Sequence, residues 1–164
     1  MSAPKVGILM GSRNDLPTLE AGAAVLDKLE IPYEIRVLSA HRTPEAAGTY
    51  AATAEGRGLG VLICGAGLAA HLAGAIAARS LLPVIGVPLE GALMGLDALL
   101  STVQMPPGVP VATVAIGKVG AQNAAWLAAR ILALGDPALA TRLKAARDEQ
   151  EARVLADDAA VQRR

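Results

Sequence analysis

The chain has 164 residues, a length that predicts one domain; 53% of the residues are apolar and only 2% are aromatic. Phenylalanine is absent, so the hydrophobic core must be aliphatic. Fifteen basic residues balance fifteen acidic ones, and this net charge of zero excludes the broad basic face of a general nucleic-acid-binding protein, though not a local cationic pocket.

Apolar runs alternate with helical spacings along the chain. In order, the patterns predict a strand and then a helix five times over, at residues 5–10 and 16–29, 33–38 and 44–55, 61–64 and 70–79, 83–87 and 96–100, and 111–116 and 121–134. Such alternation is typical of a parallel sheet with helices on both faces. The predicted fold class is therefore α/β, a doubly wound parallel sheet in a single domain over residues 1–164, with its core at about 5–134.

A last helix is predicted from Pro137 to about residue 161, and we expect a C-terminal helical arm at about 136–161. Its apolar face is thin and consists of Leu139, Leu143, Ala146 and Val154. This pattern fits either a solvated tail or an arm that lies across a neighbouring subunit, and the sequence leaves both open.

Cys64 is the only cysteine, which excludes an intrachain disulfide and a cysteine-based zinc site. Because it lies in an apolar run, it is predicted to be a buried core residue rather than a reactive thiol. No run approaches the roughly 20 apolar residues that cross a bilayer, and no secretory signal is evident. We therefore expect a soluble, cytoplasmic protein without a membrane partner that associates with copies of itself.

Residues 39–44 stand where a predicted strand is followed by a predicted helix. Thr43 is expected to cap that helix, and Pro44 suits its first position. Ser39, His41 and Arg42 then lie at the carboxyl edge of the sheet, where ligands of open α/β folds bind. Together they offer a hydroxyl, a group that titrates near neutral pH and a fixed cation. The alternative is a capped turn with an exposed His and Arg.

Two further turns are predicted at the same edge, at residues 11–15 and 65–71. Gly11 and Ser12 would present backbone N–H groups and a hydroxyl to a phosphate, which Arg42 would also bind through its fork of donors. Asp15 suits a ribose hydroxyl, or alternatively caps the first helix.

Residues 65–70 match the G-x-G-x-x-G/A dinucleotide fingerprint, and Glu90 follows the next strand. However, the string follows the third strand rather than the first, and the chain has little room for a second catalytic domain, so we reject a dinucleotide site. His71 is predicted one position into the following helix. There its side chain could belong to a site at this edge, or could bond only to the backbone of the helix N-terminus. Two histidines with no cysteine or closely spaced carboxylate make a weak metal site, and none is predicted.

Taken together, four strings in this order resemble the PurE family. They are Met10-Gly11-Ser12…Asp15, Ser39-Ala40-His41-Arg42-Thr43-Pro44, Gly65-Ala66-Gly67…Ala69-Ala70-His71-Leu72 and Ser101…Val103-Gln104-Met105-Pro106. The resemblance covers about residues 5–134 and is strongest to class I, the N5-carboxyaminoimidazole ribonucleotide mutases of purine biosynthesis. Class II relatives, which add CO₂ directly to aminoimidazole ribonucleotide, carry Lys and Gly where this chain has Arg42 and Thr43.

The resemblance implies a three-layer flavodoxin-like fold, a homo-octamer, a ribonucleotide substrate with CO₂ as the transferred group, and no metal or organic cofactor. It implies that His41 is the general acid and base, and that His71 orders the substrate or the trapped CO₂. The implied substrate-binding residues are Gly11, Ser12, Asp15, Ser39, Ala40, Arg42, Gly65, Ala66 and Gly67.

This chain departs from the family pattern at three positions: Asn14 replaces the usual Ser, Leu68 the usual Gly and Ala73 the usual Pro. Leu68 stands where the family's backbone approaches the ligand, and a leucine is unfavourable there if φ is positive. Direct carboxylation and a non-catalytic phosphoribosyl-binding module are the alternatives to the mutase.

Overall fold

A five-stranded sheet forms the centre of the computed structural model, which describes residues 5–162. The strands are β1 (Val6–Met10), β2 (Tyr33–Val37), β3 (Val61–Ala66), β4 (Val84–Pro88) and β5 (Ala112–Thr113). They are ordered β2-β1-β3-β4-β5 and every pairing is parallel, which is the doubly wound order of flavodoxin-like folds. The predicted fold class is confirmed.

Six α-helices surround the sheet in the described part of the chain. They are α1 (Leu16–Lys28), α2 (Pro44–Thr53), α3 (Leu72–Ala77), α4 (Leu96–Val103), α5 (Gly117–Ala133) and α6 (Pro137–Gln162). Buried side chains of α1, α5 and α6 share one core cluster with the sheet, and those of α2 and α3 share a second. The sheet is therefore covered on both faces, which gives three layers.

Alternating residues of the central strands point to the two clusters. In β1, Ile8 and Met10 join the cluster beneath α1 and α5, whereas Leu9 joins the cluster beneath α2 and α3. Because both faces are buried, these strands are continuously apolar instead of alternating with polar residues. Cys64 is buried in the second cluster as predicted, and this burial raises the pKa of its thiol.

Several predicted boundaries are wrong. The fifth strand has two residues instead of six, since its pairing with β4 covers only Ala112 and Thr113. Helix α3 begins at Leu72, not at residue 70, and the Ala70 N–H before it donates to the Ser101 hydroxyl. His71 is consequently the N-cap of α3 and not a residue inside it.

Thr43 does not cap α2 with its side chain as predicted, although Pro44 is the first helical residue. The Thr43 hydroxyl instead accepts from the Ser39 N–H at 2.9 Å and donates to the Ser39 carbonyl at 3.1 Å. In α6, Leu139 and Ala146 are buried, but the side chain of Val154 is 66% exposed, so the predicted apolar face ends before it. No helix within residues 5–162 is long and apolar enough to cross a membrane.

At Gly22, α1 lies close to the backbone of α5. A Cβ at this position would lie 2.6 Å from the backbone oxygen of Ala121 and could not be relieved by moving a side chain. Alanine is the better helix former, so Gly22→Ala would stabilise an isolated helix. In the folded protein we expect the clash to prevail and to lower the free energy of unfolding by about 1–3 kcal/mol in equilibrium denaturation.

Gly56→Ala is the matched control for this prediction, because no atom lies within 4 Å of a Cβ built at Gly56. Its free energy of unfolding should stay within about 0.5 kcal/mol of the wild-type value. A Gly22→Ala protein as stable as the wild type would show that the two helices can separate at no cost.

Candidate functional site

A cavity of about 560 Å³ opens at the carboxyl edge of the sheet. Its walls come from the turns after β1, β2, β3 and β4, and are formed by Gly11, Ser12, Asp15, Ser39, Ala40, His41, Arg42, Ala66, Gly67, Leu68, Ala69, Leu72, Glu90 and Gly91. The chain passes from β1 to β2 on one side and returns to β3 on the other, so the cavity lies at the point where the strand order reverses. Ligands of open α/β sheets bind at this point.

Nine of the eleven residues singled out from the sequence line this cavity. The two that do not are Gly65 and His71. Gly65 is buried in β3, where a Cβ would lie 2.8 Å from a methyl group of Leu19, so it allows α1 to pack closely. His71 reaches the cavity wall through a hydrogen bond with His41.

The turn at Ser39 is organised by its own side chains. The Ser39 hydroxyl accepts from the Arg42 N–H at 3.1 Å and lies 3.5 Å from Nε of the Arg42 guanidinium. Nη2 of Arg42 donates to the carbonyl oxygen of Gly11. Arg42 therefore joins the turn after β2 to the turn after β1, and its guanidinium is held at the cavity.

His41 and His71 form a hydrogen-bonded pair. Nε2 of His41 lies 2.9 Å from Nδ1 of His71, and the rings meet edge to face with centroids 5.0 Å apart. One nitrogen must carry the proton and the other must accept it, so the tautomers of the two rings are coupled. The alternative in which the His71 ring bonds only to backbone is wrong, because its Nδ1 is paired with His41.

Asp15 occupies the N-cap position of α1, but its carboxylate makes no capping hydrogen bond, contrary to the capping alternative. The neighbouring Ser12 hydroxyl accepts from the Asn14 N–H at 3.2 Å and caps a short 3₁₀ turn, Arg13–Asp15. Burial raises the pKa of the Asp15 carboxyl, and a hydrogen bond from the Ser12 backbone and the charge of Arg42 only partly offset it.

The turn after β4 contributes cavity residues that the sequence analysis did not assign to the site. Glu90 and Gly91 line the wall after β4, which is separated in the sheet from β2 and the Arg42 turn by β1 and β3. From the sequence, Glu90 was considered only for the rejected dinucleotide site. The available signal was their position directly after the fourth strand, because all parallel strands end at one edge. Leu68, Ala69 and Leu72 complete the apolar part of the wall.

A larger groove, of about 830 Å³, lies between α5, α6 and the chain beyond β5. It contains Trp126, Arg130 and Arg147 but none of the predicted site residues, and it carries no histidine. Within residues 5–162 no group of three or more His, Cys, Asp and Glu side chains is arranged to hold a metal ion. The cavity with the histidine pair is therefore the candidate site.

Comparison with known families agrees with these motifs. The sequence model described as AIR carboxylase matches residues 5–153. Among solved structures, PurE from Treponema denticola superposes with a TM-score of 0.86 at 32% identity, covering 95% of this chain and 97% of that one.

Three curated relatives are each named N5-carboxyaminoimidazole ribonucleotide mutase. The protein of Pyrococcus abyssi is 56% identical over 149 residues, which cover 90% of this chain and 84% of the relative. That of Pseudomonas aeruginosa is 56% identical over 151 residues, covering 92% and 93%. That of Bacillus subtilis is 54% identical over 153 residues, covering 93% and 94%.

The raised pKa of Asp15 predicts a cost in stability at neutral pH. The folded state holds this proton more tightly than the unfolded state, so the carboxyl favours folding below about pH 4 and loses that effect as pH rises through its folded pKa. We expect Asp15→Asn to raise the melting temperature at pH 7 and to leave it unchanged near about pH 3, where the carboxyl is protonated in both states, while weakening ligand binding.

Thermal unfolding from about pH 3 to pH 8 measures this difference. Asp157→Asn, at an exposed position of α6, should show no such dependence. An Asp15→Asn protein less stable than the wild type at pH 7 would contradict the argument from burial.

Proposed function

Because this chain belongs to the AIR carboxylase family, we propose that it is an N5-carboxyaminoimidazole ribonucleotide mutase, an isomerase of purine biosynthesis. It interconverts N5-carboxyaminoimidazole ribonucleotide and 4-carboxy-5-aminoimidazole ribonucleotide. The identity of 54–56% to relatives of that name, over most of each chain, supports the activity. The observation in this structure that carries the proposal is the placement of His41 on one cavity with Ser12 and Arg42.

The substrate phosphate binds between the turns after β1 and β2. A recess of about 330 Å³ adjoins the main cavity there, and its wall contains Arg13 and Arg42 together with the hydroxyl-bearing residues Ser12, Ser39 and Thr43. The Thr43 hydroxyl donates to the Ser39 carbonyl, which leaves two guanidinium groups and two hydroxyls to match the oxygens of a phosphate. Asp15 is then placed to accept a hydrogen bond from the ribose. The imidazole ring of the substrate extends toward Ala40, His41 and Gly67.

The reaction moves a carboxyl group between two atoms of the substrate. The bond between N5 and the carboxyl carbon breaks, CO₂ is released, and N5 takes up a proton. C4 then attacks CO₂ to form the new carbon–carbon bond, and the proton on C4 leaves. One proton is delivered and one is removed, so a single group near the ring suffices for both steps.

His41 is that general acid and base. Its ring lines the cavity, and its Nε2 is paired with Nδ1 of His71. Since the two tautomers are coupled, a proton that leaves the other ring nitrogen of His41, Nδ1, can be compensated by a shift of the proton between Nε2 and His71. His71 acts through His41 and is a positioning residue rather than a group that contacts the reacting atoms.

Self-association is the second part of this proposal. Leu96, Leu100 and Val103 form a stripe along α4 at helical spacing, and each is about half exposed. Leu93 and Met94, in the loop before α4, extend the same apolar surface and are 63% and 83% exposed. An apolar face of this kind marks a protein contact, and we assign it to the homo-octamer implied by the family resemblance. A cytoplasmic location stays a prediction from the sequence.

His41→Asn tests the catalytic assignment. Asparagine cannot transfer a proton near neutral pH and is too short to replace the Nε2 bond to His71, so we expect kcat to fall by about 10²–10⁴-fold. Binding of the 4-carboxy ribonucleotide, measured by calorimetry, should be nearly unchanged. The assay follows interconversion of the two carboxylated ribonucleotides in the ultraviolet, and aminoimidazole ribonucleotide with bicarbonate is supplied separately to detect direct carboxylation.

Glu45→Gln, in the exposed first turn of α2 next to this motif, is the control and should keep wild-type rates. Wild-type kcat in His41→Asn would remove His41 from the proton transfers. Wild-type turnover only with aminoimidazole ribonucleotide and bicarbonate would replace the mutase with the direct carboxylase, and binding without any turnover would leave a phosphoribosyl-binding module.

Leu100→Glu tests the proposed assembly. A charge in the middle of the α4 stripe must be desolvated if that stripe is an interface, so we expect the octamer to dissociate into smaller species in light scattering. Leu134→Glu, at a position that is 90% exposed after α5, should leave the mass unchanged. An unaltered octamer in Leu100→Glu would assign the contacts to another surface.

A further inference from the structure

Ser101 and Met105 belong to the family pattern but lie outside the candidate site. Ser101 is in α4, Met105 follows that helix, and neither lines the cavity. Both nevertheless contact the segment that carries His71. Ser101 bonds to Ala70 immediately before the histidine, and Met105 packs on Gly74 three residues after it. This placement indicates that the two side chains support the histidine instead of meeting the substrate.

The Ser101 hydroxyl joins α4 to the loop after β3. It accepts from the Ala70 N–H at 3.1 Å and donates to the Asp97 carbonyl, four residues earlier in the helix, at 2.8 Å. It also lies 3.4 Å from the Leu68 carbonyl oxygen. In the described part of the chain, no other hydrogen bond connects residues 68–70 to a helix or strand. The position of this loop therefore depends on one side chain.

The loop has little to hold it if that hydroxyl is removed. Ala70 is 1% exposed, so solvent does not replace the serine as a partner for its N–H, and a buried N–H without a partner costs free energy. Leu68, two residues earlier, has a φ of +56°, a left-handed conformation that is unfavourable for leucine. Without Ser101, both effects favour a displaced loop.

The support on which Ser101 stands is itself packed tightly against the sheet. A Cβ built at Gly86 of β4 would lie 2.4 Å from Cγ2 of Thr102, the residue that follows the serine in α4, and Thr102 is buried. Beyond α4, the sulfur of Met105 would lie 3.1 Å from a Cβ built at Gly74 of α3. The segment at residues 68–74 is therefore braced on both sides of its histidine.

We propose that Ser101 is a positioning residue for the histidine pair of the candidate site. Ala70 immediately precedes His71, so the hydroxyl that holds the Ala70 N–H also holds the backbone from which the His71 ring extends. Nδ1 of that ring lies 2.9 Å from Nε2 of His41, and a displacement of about 1 Å would break this hydrogen bond. The inference rests on the proposed mutase activity, in which His41 transfers the protons.

Ser101→Ala should lower kcat by about 10–100-fold, because misplacement by about 1 Å is enough for such a loss. KM should change little, since the polar groups that bind the substrate stand on the turns after β1 and β2. Thr141→Ala is the matched control. The Thr141 hydroxyl also donates to the carbonyl four residues earlier, that of Pro137 at 3.0 Å, but it bonds to no other element. This variant should keep the wild-type kcat.

A double-mutant cycle separates positioning from general damage to the fold. His71→Ala removes the ring that Ser101 is proposed to place. If Ser101 acts through this ring, Ser101→Ala should lower kcat no further in the His71→Ala protein, so the two losses should not multiply. The measurement is the interconversion of the two carboxylated ribonucleotides by the full-length protein and its single and double variants.

A second measurement needs no substrate. The chain contains only two histidines, so ¹⁵N NMR of protein labelled in histidine observes the ring nitrogens of His41 and His71 alone. Ser101→Ala should shift the ring signals of both histidines because their hydrogen bond is lost. Thr141→Ala should shift neither.

The outcomes separate this inference from the function on which it rests. A loss of kcat that disappears in the His71→Ala background, together with shifted ring signals, supports the positioning role. An equal loss in both backgrounds, a wild-type kcat or unchanged ring signals would overturn it while the mutase stands. If Ser101→Ala does not assemble, Ser101→Cys carries the same measurements, since a thiol is only a weak acceptor. A wild type that does not rearrange the substrate refutes the proposed function, and the ring signals still test the placement of the pair.

Discussion

The parallel pairing of β1 with β3 is the constraint on which the rest of the structure depends. Met10 is in register with Gly65, so the two strands end together at one edge of the sheet. The chain leaves β1 toward β2 on one side and later enters β3 on the other side. The turns that follow β1 and β3 therefore diverge. The space between them is the cavity, and its position follows from strand order rather than from any single side chain.

Packing of small residues allows the helices to lie close enough to this sheet to keep the register. The buried face of α5 is a row of alanines, Ala121, Ala124, Ala125, Ala128 and Ala129, and α1 meets it at Gly22. Alanine and glycine fill the contact between these helices only if the two backbones approach one another, and a dense core tolerates little displacement. The turns at the carboxyl edge are therefore mounted on a rigid frame.

The candidate site contains two features that cost free energy. Asp15 is a carboxylate whose burial disfavours its charge, and Leu68 holds a left-handed backbone. Neither helps the chain to fold, and both face the same cavity. Local conflicts of this kind are expected where function, rather than stability, selects a residue. The polar half of the cavity suits a sugar phosphate, and the apolar half suits a small uncharged molecule.

The sequence by itself determined the fold class and most of the site. Apolar runs and helical spacings are local properties of the sequence, so they predicted the order of strands and helices. Because parallel strands end at one edge of a sheet, that order placed Ser12, Asp15, His41 and Arg42 together. Local capping chemistry was less reliable, because the Thr43 hydroxyl had several backbone partners within reach and bonded to Ser39 instead of to the helix. The length of β5 also escaped prediction, since its apolar run does not show that only two of its residues pair with β4.

Only the tertiary structure decided which distant groups meet. His41 and His71 are thirty residues apart in the chain, and their hydrogen bond depends on how β1 separates the strands that precede them. The contact of Leu68 with Gly91 likewise requires β3 and β4 to be adjacent and in register. Periodicity records which face of an element is buried, but distances between side chains on different turns are set by the packing of the whole sheet and its helices.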